Sequence, residues 1–379
     1  MPWKETTKVS QRTEFISLVQ EDEVNISKLC QQFGISRKTG YKWLRRYREG
    51  GLEALADRSR RPHHSPHRSS QAIEETVLSV REAHPAWGGR KIKAYLENQV
   101  HGEWPTPSTI TAILDRHGLI DPKESSKHHP FQRFEMEQPN QLWQMDFKGY
   151  FVMEDGARCH HLTVLDDHSR FLLGLRACPN QKRQTVQAHL SDVFRNYGLP
   201  ERMLMDNGSP WGDDADTPHT ILTAWLLRLG VQVSHGRPYH PQTQGKDERL
   251  HRTLQVELIS KKVLHDLDDC QQYFDQWREI YNYERPHEAL NLHPPATCYR
   301  KSPRPFPEVL PPILYNPGDI VRNVDECGVI YFKNRRFRVG KAFRLQPVAI
   351  RFGECDGIYD VYFCQKKIDK INLRDDHND

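Results

Sequence analysis

The sequence predicts a multidomain chain: two α-helical modules, an α/β core and a small β-rich carboxy-terminal domain. Three observations carry that expectation. Apolar residues recur at helical spacing, with capping residues, over about 8–57 and again over 72–120. From about 141 to 300, strand-like alternation is interleaved with helical stretches. After a proline-rich connector, Pro294 to Pro317, short β-branched and aromatic runs fill 318–373.

In the first module, Ile26, Leu29, Cys30 and Phe33 form one helical face, and Ser27 is a possible cap. Gly34-Ile35-Ser36 reads as a turn, with Gly34 left-handed and Ser36 capping the next helix. That helix, Arg37 to Arg48, is expected to turn Tyr41, Leu44 and Tyr47 inward. It leaves Arg37, Lys38, Lys42, Arg45, Arg46 and Arg48 outward, the arrangement a helix-turn-helix presents to duplex DNA. Residues 1–70 hold 14 Lys+Arg against 8 Asp+Glu, a local +6 in a chain of net charge +4. The linker that follows, with Arg60 and Arg61, is basic too, and a phosphate-rich partner fits that bias.

The second module is read in the same way. A helix from Arg90 to about Asn98 starts with Arg90 and Lys91, candidate DNA contacts. Thr106-Pro107 opens another helix, containing Ile110, Ile113 and Leu114, and Gly118 closes it.

In the core, Leu142, Gln144 and Asp146 alternate with Trp143, Met145 and Phe147, the period of a strand. An aspartate there is unfavourable unless something offsets its burial, and a metal ion does so. Asp166-Asp167-His168-Ser169-Arg170 reads as a turn with side-chain hydrogen bonds, between a strand at Leu162–Leu165 and another beginning at Phe171. A helix is expected over 182–197. Asp206 ends a short strand, Arg202–Asp206, where α/β sheets place their ligands. A helix at about Thr217–Gly230 and a strand at Val231–Ser234 come next. The loop from Gly236 gives way to a helix at Gly245, with a core stripe of Leu250, Leu254 and Leu258. Glu248, His251, Arg252 and Gln255 are placed on its other face. Three carboxylates from separate elements, Asp146, Asp206 and Glu248, suit a pair of Mg²⁺ ions, with Mn²⁺ able to substitute, acting on a phosphodiester. No nucleophilic serine or cysteine constellation is evident. Eight cysteines without a CxxC pair argue against a disulfide framework or a zinc module.

These residues resemble the integrase-like transposases of bacterial insertion sequences, within the retroviral-integrase superfamily. The resemblance rests on six motifs in order: Trp143-Gln144-Met145-Asp146, Asp167-x-Ser169-Arg170, Asp206-Asn207-Gly208, His240-Pro241-Gln242-Thr243-Gln244-Gly245-Lys246-x-Glu248, Tyr281-Asn282-x-x-Arg285-Pro286-His287-x-Ala289-Leu290 and Pro294-Pro295-Ala296. It implies a ribonuclease-H-like core and metal ligation by Asp146, Asp206 and Glu248. It also implies double-stranded DNA as partner, both element ends and target, and at least a dimer on DNA. One departure is the 41 residues, 207–247, between Asp206 and Glu248, a longer spacing than the family commonly shows. The acidic stretch Gly212-Asp213-Asp214-Ala215-Asp216 accounts for it, and with Asp247 it supplies decoy carboxylates.

The expected domains are therefore 1–66, 67–128, 136–302 and 310–379, the last a small barrel-like unit with Lys333-Asn334-Arg335-Arg336 as a hairpin turn. His240, Gln242, Lys246 and Arg249 are further candidate DNA contacts; Arg285 is another residue within reach of a phosphate. Trp143 and His287 are read as structural. No run of 18 apolar residues occurs, so no membrane span is expected, and a cytoplasmic, nucleoid-associated bacterial protein is the simplest setting. The competing reading is a catalytically inactive, transposase-derived DNA-binding regulator. A ribonuclease acting on RNA–DNA hybrids fits paired helix-turn-helix units less well.

Overall fold

The computed structural model describes residues 8–20, 24–57, 68–100, 102–120, 135–206, 208, 210–211, 219–235 and 245–374. It divides into two compact units, residues 1–68 and 69–379.

Among its described residues the first unit contains three α-helices, α1 (Lys8–Val19), α2 (Ile26–Gln32) and α3 (Arg37–Gly50). Asn25, not Ser27, caps α2, its side chain accepting from the amides of Ser27 and Lys28 at 3.0 and 3.3 Å. Asn25 has the extended backbone a cap needs, whereas Ser27 is already helical. Gly34 takes φ +62° in the turn, and Ser36 caps α3 through Thr39, as expected. Phe15, Ile16, Leu29, Cys30, Trp43, Leu44 and Leu55 form the core. Tyr41 is exposed, contrary to expectation. The inward stripe of α3 is Gly40, Trp43 and Leu44, with Tyr47 half-buried, so Tyr41 lies about 100° from Gly40 and faces out.

The second unit begins with α4 (Gln71–Ala83), α5 (Gly89–Gln99) and α6 (Pro107–Arg116), packed around Val77, Trp87, Ile92, Leu96, Ile110 and Ile113. Thr106 caps α6 by accepting from the Thr109 amide, with Pro107 in the first turn. At Gly89 a Cβ would stand 2.4 Å from the Pro107 carbonyl, so the α5–α6 approach requires glycine.

The central sheet contains β1 (Leu142–Phe147), β2 (Phe151–Val152), β3 (Arg158–Asp166), β4 (Leu172–Cys178), β5 (Arg202–Met205) and β6 (Gln232–His235). Strand β3 pairs antiparallel with β1, β2 and β4; β5 runs parallel to β1, and β6 parallel to β5. One face is covered by α7 (Arg183–Tyr197) and α8 (Ile221–Arg228), which bury Val186, Leu190, Phe194, Leu222 and Leu226 against Trp143 and Met145. The other is covered by α9 (Gly245–Leu254) and α10 (Leu267–Glu279), through Leu250, Leu254, Leu258, Phe274 and Trp277. Trp143 is fully buried core, as read from the sequence.

Strand β4 would present unpaired backbone groups on its outer side, and α10 with the turn after it satisfies them. Gln271 donates to the Leu175 carbonyl and accepts from the Ala177 amide. Arg278 donates to the Leu173 carbonyl. Asn282 accepts from the Leu172 amide at 2.8 Å and donates to the Leu172 carbonyl at 3.0 Å. The spacings of 7 and 4 residues keep all three on one face, and a π-helical turn at Ile280–Glu284 carries Asn282 into line.

The connector after Pro294 is strapped to the core. Arg304 donates to the carbonyls of Pro200, Leu229 and Gly230, and Tyr299 stacks on Phe171 at 4.3 Å. It leads into an antiparallel sheet of β7 (Ile320–Asn323), β10 (Pro347–Phe352), β11 (Ile358–Phe363) and β12 (Lys366–Asn372), and a separate hairpin of β8 (Val329–Phe332) and β9 (Arg335–Arg338). Only Lys333 and Asn334 form the hairpin turn, both with positive φ; Arg335 and Arg336 already belong to β9. Among the described residues the two ladders do not close into the expected barrel, because residues 340–346 carry the chain from β9 to β10 as a turn rather than as a strand. The region packs on Ala224 and Leu227 of α8. Among the described residues no helix is long and apolar enough to cross a membrane.

Replacing Asn282 by Leu should leave the amide and the carbonyl of Leu172 unpaired and cost about 2–4 kcal/mol. A urea-unfolding midpoint equal to that of the wild type would show that the edge of β4 does not depend on this side chain.

Candidate active site

The β1–β5 pairing runs Leu142↔Arg202, Trp143↔Met203 and Gln144↔Leu204. Continued by two residues, it sets Asp146 and Asp206 at the same level of neighbouring parallel strands, near the carboxyl end of the sheet. Both side chains are half-buried. Asp206 is held by its own turn: its Oδ1 accepts from the Gly208 amide at 3.1 Å, and its carbonyl accepts from His235 Nδ1 at 2.8 Å. Burial first, and then the charge of Asp206, push the Asp146 carboxyl up to about 6, with Glu248 adding to the rise. The Phe147 amide hydrogen bond, and then Lys148, work the other way but do not compensate.

Glu248 lies in the first turn of α9 and is exposed, next to residues 236–244, which lie outside the described residues. Its charge reaches Asp146, but among the described residues no three His, Cys, Asp or Glu side chains stand close enough to hold one ion. The helix face expected to hold Glu248, His251, Arg252 and Gln255 is divided. Glu248, Arg252 and Gln255 are exposed, whereas His251 is buried. Burying the leucine stripe rotates positions 247 and 251 inward with it. Asp247, set aside as a decoy, is therefore 1% exposed, and neither carboxylate oxygen has a hydrogen-bond partner among the described residues. Desolvation and the charges of Asp146 and Asp167 hold it well above the usual carboxylate range.

The Asp166–Arg170 turn is built as expected, from side-chain hydrogen bonds. Asp166 accepts from the amide and hydroxyl of Ser169 and from the Asn140 amide. Asp167 accepts from Gln144 Nε2 at 2.6 Å and from the Met136 amide at 2.9 Å. It also pairs with Lys246 Nζ at 2.5 Å. Lys246 therefore faces a buried carboxylate rather than open surface, and burial lowers its pKa.

Other candidate contacts separate in the same way. Arg37, Lys38, Lys42 and Arg45 line the exposed side of α3, while Arg46 is half-buried, 4.8 Å over the Trp43 ring. Arg90 is exposed. Lys91 turns inward toward Arg285, Glu257 and Glu288, and desolvation brings it down to about 8. Arg249 pairs with Glu288 at 3.1 Å on the surface. Arg285 pairs with Glu257 at 3.0 Å, both side chains being largely buried. Half-buried His287 caps the turn at Ala289, in keeping with a structural role. Arg60, Arg61, His240, Gln242, Asn207 and the acidic stretch 212–216 lie outside the described residues. Sequence reading missed the buried His161–His251 pair, rings 5.6 Å apart, behind Asp146. Its only signal was the spacing of three from Glu248, which placed His251 on the wrong face.

Because Asp146 binds its proton more tightly when folded, the folded chain keeps a proton that the unfolded chain releases between its ordinary value of 3.8 and about 6. Stability should therefore fall as pH rises through that window, by up to about 3 kcal/mol, and then level off. Asp146→Asn should be the more stable chain at pH 7.5 in chelator, with the difference vanishing near pH 4. Equal unfolding midpoints at both pH values would show that Asp146 carries no such strain.

Family descriptions of an integrase core domain match residues 136–241 and 229–295. A helix-turn-helix domain matches 11–63 and a homeodomain-like domain 39–114. The carboxy-terminal domain of IS481 family transposases matches 319–379. The transposase for transposon Tn552 of Staphylococcus aureus is 24% identical over 308 residues, covering 71% of this chain and 62% of that protein. An uncharacterised 39.2 kDa protein of insertion element IS476 from Xanthomonas euvesicatoria is 22% identical over 237 residues, covering 61% and 65%. The Gag-Pro-Pol polyprotein of sheep pulmonary adenomatosis virus is 28% identical over 155 residues, covering 40% of this chain and 8% of the polyprotein. The chain thus spans somewhat under two thirds of the length of these two bacterial relatives and a small part of this viral polyprotein. With helix-turn-helix matches, an integrase core and a transposase carboxy-terminal domain in one order along the sequence, the chain belongs to the integrase-like transposases of insertion sequences.

Proposed function

We propose that the chain is a DNA transposase that binds element ends, hydrolyses a phosphodiester to free a 3′-hydroxyl and joins that hydroxyl to target DNA. The observation that carries this reading is the carboxylate pair Asp146 and Asp206, level on adjacent parallel strands, with the charge of Glu248 acting on the same point. The donor set fits a hard divalent cation: oxygen ligands, uncompensated negative charge and, beside them, buried polar atoms of Asp247 and His251 without partners. Asp146, Asp206 and Glu248 would hold Mg²⁺, or Mn²⁺ in its place. When bound, such ions polarise the phosphoryl oxygens and favour both the attacking and the leaving oxygen.

The chain's own groups do the rest. The strands fix Asp146 and Asp206 rigidly, while Glu248 stands beside the 236–244 segment that contains His240 and Gln242. Contacts to duplex phosphates are assigned to the exposed cations of α3 and to Arg90 at the start of α5, and, from the sequence, to Arg60 and Arg61 of the linker. Two element ends must be held together, so the active form is at least a homodimer on DNA, in the bacterial cytoplasm at the nucleoid. The four segments, 1–66, 67–128, 136–302 and 310–379, then serve end recognition, end recognition, chemistry and assembly or DNA contact.

The test is a strand-transfer assay with labelled DNA carrying native element ends and Mg²⁺ or Mn²⁺. Joined products should form with the wild type and fall by about 10²-fold or more in Asp146→Asn and Glu248→Gln, as expected when electrostatic stabilisation of the transition state is lost. DNA bound but neither cut nor joined by the wild type would favour the inactive DNA-binding regulator.

A further inference from the structure

Behind Asp146 runs a short chain of polar contacts. Thr163 stands opposite Asp146 in the β1–β3 register. Its Oγ1 lies 3.2 Å from the Asp146 carbonyl and 2.9 Å from His251 Nε2. His251, 2% exposed, comes three residues after Glu248 on α9. Among the described residues its Nδ1 has no hydrogen-bond partner, and it lies 3.9 Å from Asp146 Oδ2, about 0.7 Å beyond ordinary hydrogen-bond reach. The His161 ring closes the far side edge-on, at 85°.

The Thr163 hydroxyl has one proton to give. If it goes to the Asp146 carbonyl, His251 Nε2 must carry the ring hydrogen, and a bare Nδ1 lone pair faces the carboxylate. If it goes to Nε2, Nδ1 carries the hydrogen and faces Oδ2. Only the second arrangement sets opposite partial charges across the gap from an ionised carboxylate, and only it leaves neither ring nitrogen idle.

We propose that His251 is a positioning residue, a neutral imidazole whose Nδ1–H steers the Asp146 carboxylate while Nε2 accepts from Thr163. This inference rests on the divalent-cation reading of the carboxylates. Residues that orient metal ligands in this way typically change metal affinity by about 10–100-fold.

The test uses the full chain, Mn²⁺ uptake followed by the paramagnetic resonance of free Mn²⁺, and thermal unfolding in chelator. His251→Asn keeps an amide nitrogen near the position of Nδ1; His251→Gln keeps one near Nε2. Each loses one contact, so both should unfold at similar temperatures. His251→Asn should bind Mn²⁺ within about threefold of wild type, and His251→Gln at least about tenfold more weakly. Equal affinities in the two variants, whether unchanged or lowered together, would remove the role assigned to His251 and leave the cation site standing. If the wild type itself took up no Mn²⁺, the cation site would fall and this inference with it.

Discussion

The arrangement around the site depends on one buried ion pair, Lys246 with Asp167. Asp167 is fully buried in the turn between β3 and β4, and an ionised carboxylate there requires strong compensation. Gln144 of β1 and the Met136 amide supply hydrogen bonds, and Lys246 supplies the opposite charge. Three elements are thereby tied at one point: the turn, the strand that carries Asp146, and the first turn of α9. The rotation of α9 follows from that tie together with the Leu250–Leu254–Leu258 stripe. It carries Asp247 and His251 inward and leaves Glu248 at the rim.

That rotation concentrates negative charge. Asp146 and Asp206 lie at the carboxyl ends of β1 and β5, Asp167 lies toward the amino end of β1, the charges of Asp146 and Asp167 both act on Asp247, and Lys246 is committed to Asp167. Burial first, and then this imbalance, raises the Asp146 and Asp247 carboxyls. A scaffold carries such strain only where the rest of it is well satisfied. Here the compensation is the polar lacing of the core: Asp166 with Ser169 and Asn140, and Gln271, Arg278 and Asn282 along the outer edge of β4.

The second helical module joins the core through charge as well as apolar contact. The Arg285–Glu257 pair is largely buried, Trp277 donates to Glu257, and the charges of Glu257 and Glu288 reach Lys91. Ile280 packs against the module's own apolar cluster. The motif containing Arg285 and His287 therefore does structural work at this junction, and the carboxy-terminal sheet rests on the other helical layer, at α8.

The sequence by itself determined the order of modules, the element types and the strand ends that hold Asp146 and Asp206. Those features are written in local periodicity and capping: alternation from Leu142 to Phe147, Ser36 and Thr106 as caps, and the leucine stripe of α9. The turn at Asp166–Arg170 was legible for the same reason, because its hydrogen bonds are made within a few residues. Tertiary structure alone decided which charged residues stay outside. Lys246, Lys91 and Arg285 read as phosphate contacts in one dimension, yet each faces a carboxylate from an element distant in sequence. It also decided that His251 lies behind Asp146 and that Tyr41 is exposed. Periodicity specifies a face, but burial depends on what packs against that face, and here the partners are remote in sequence: Asp167 lies 79 residues from Lys246, and Glu257, facing Lys91 and Arg285, comes from another element, each brought close only by the folded sheet and its helices.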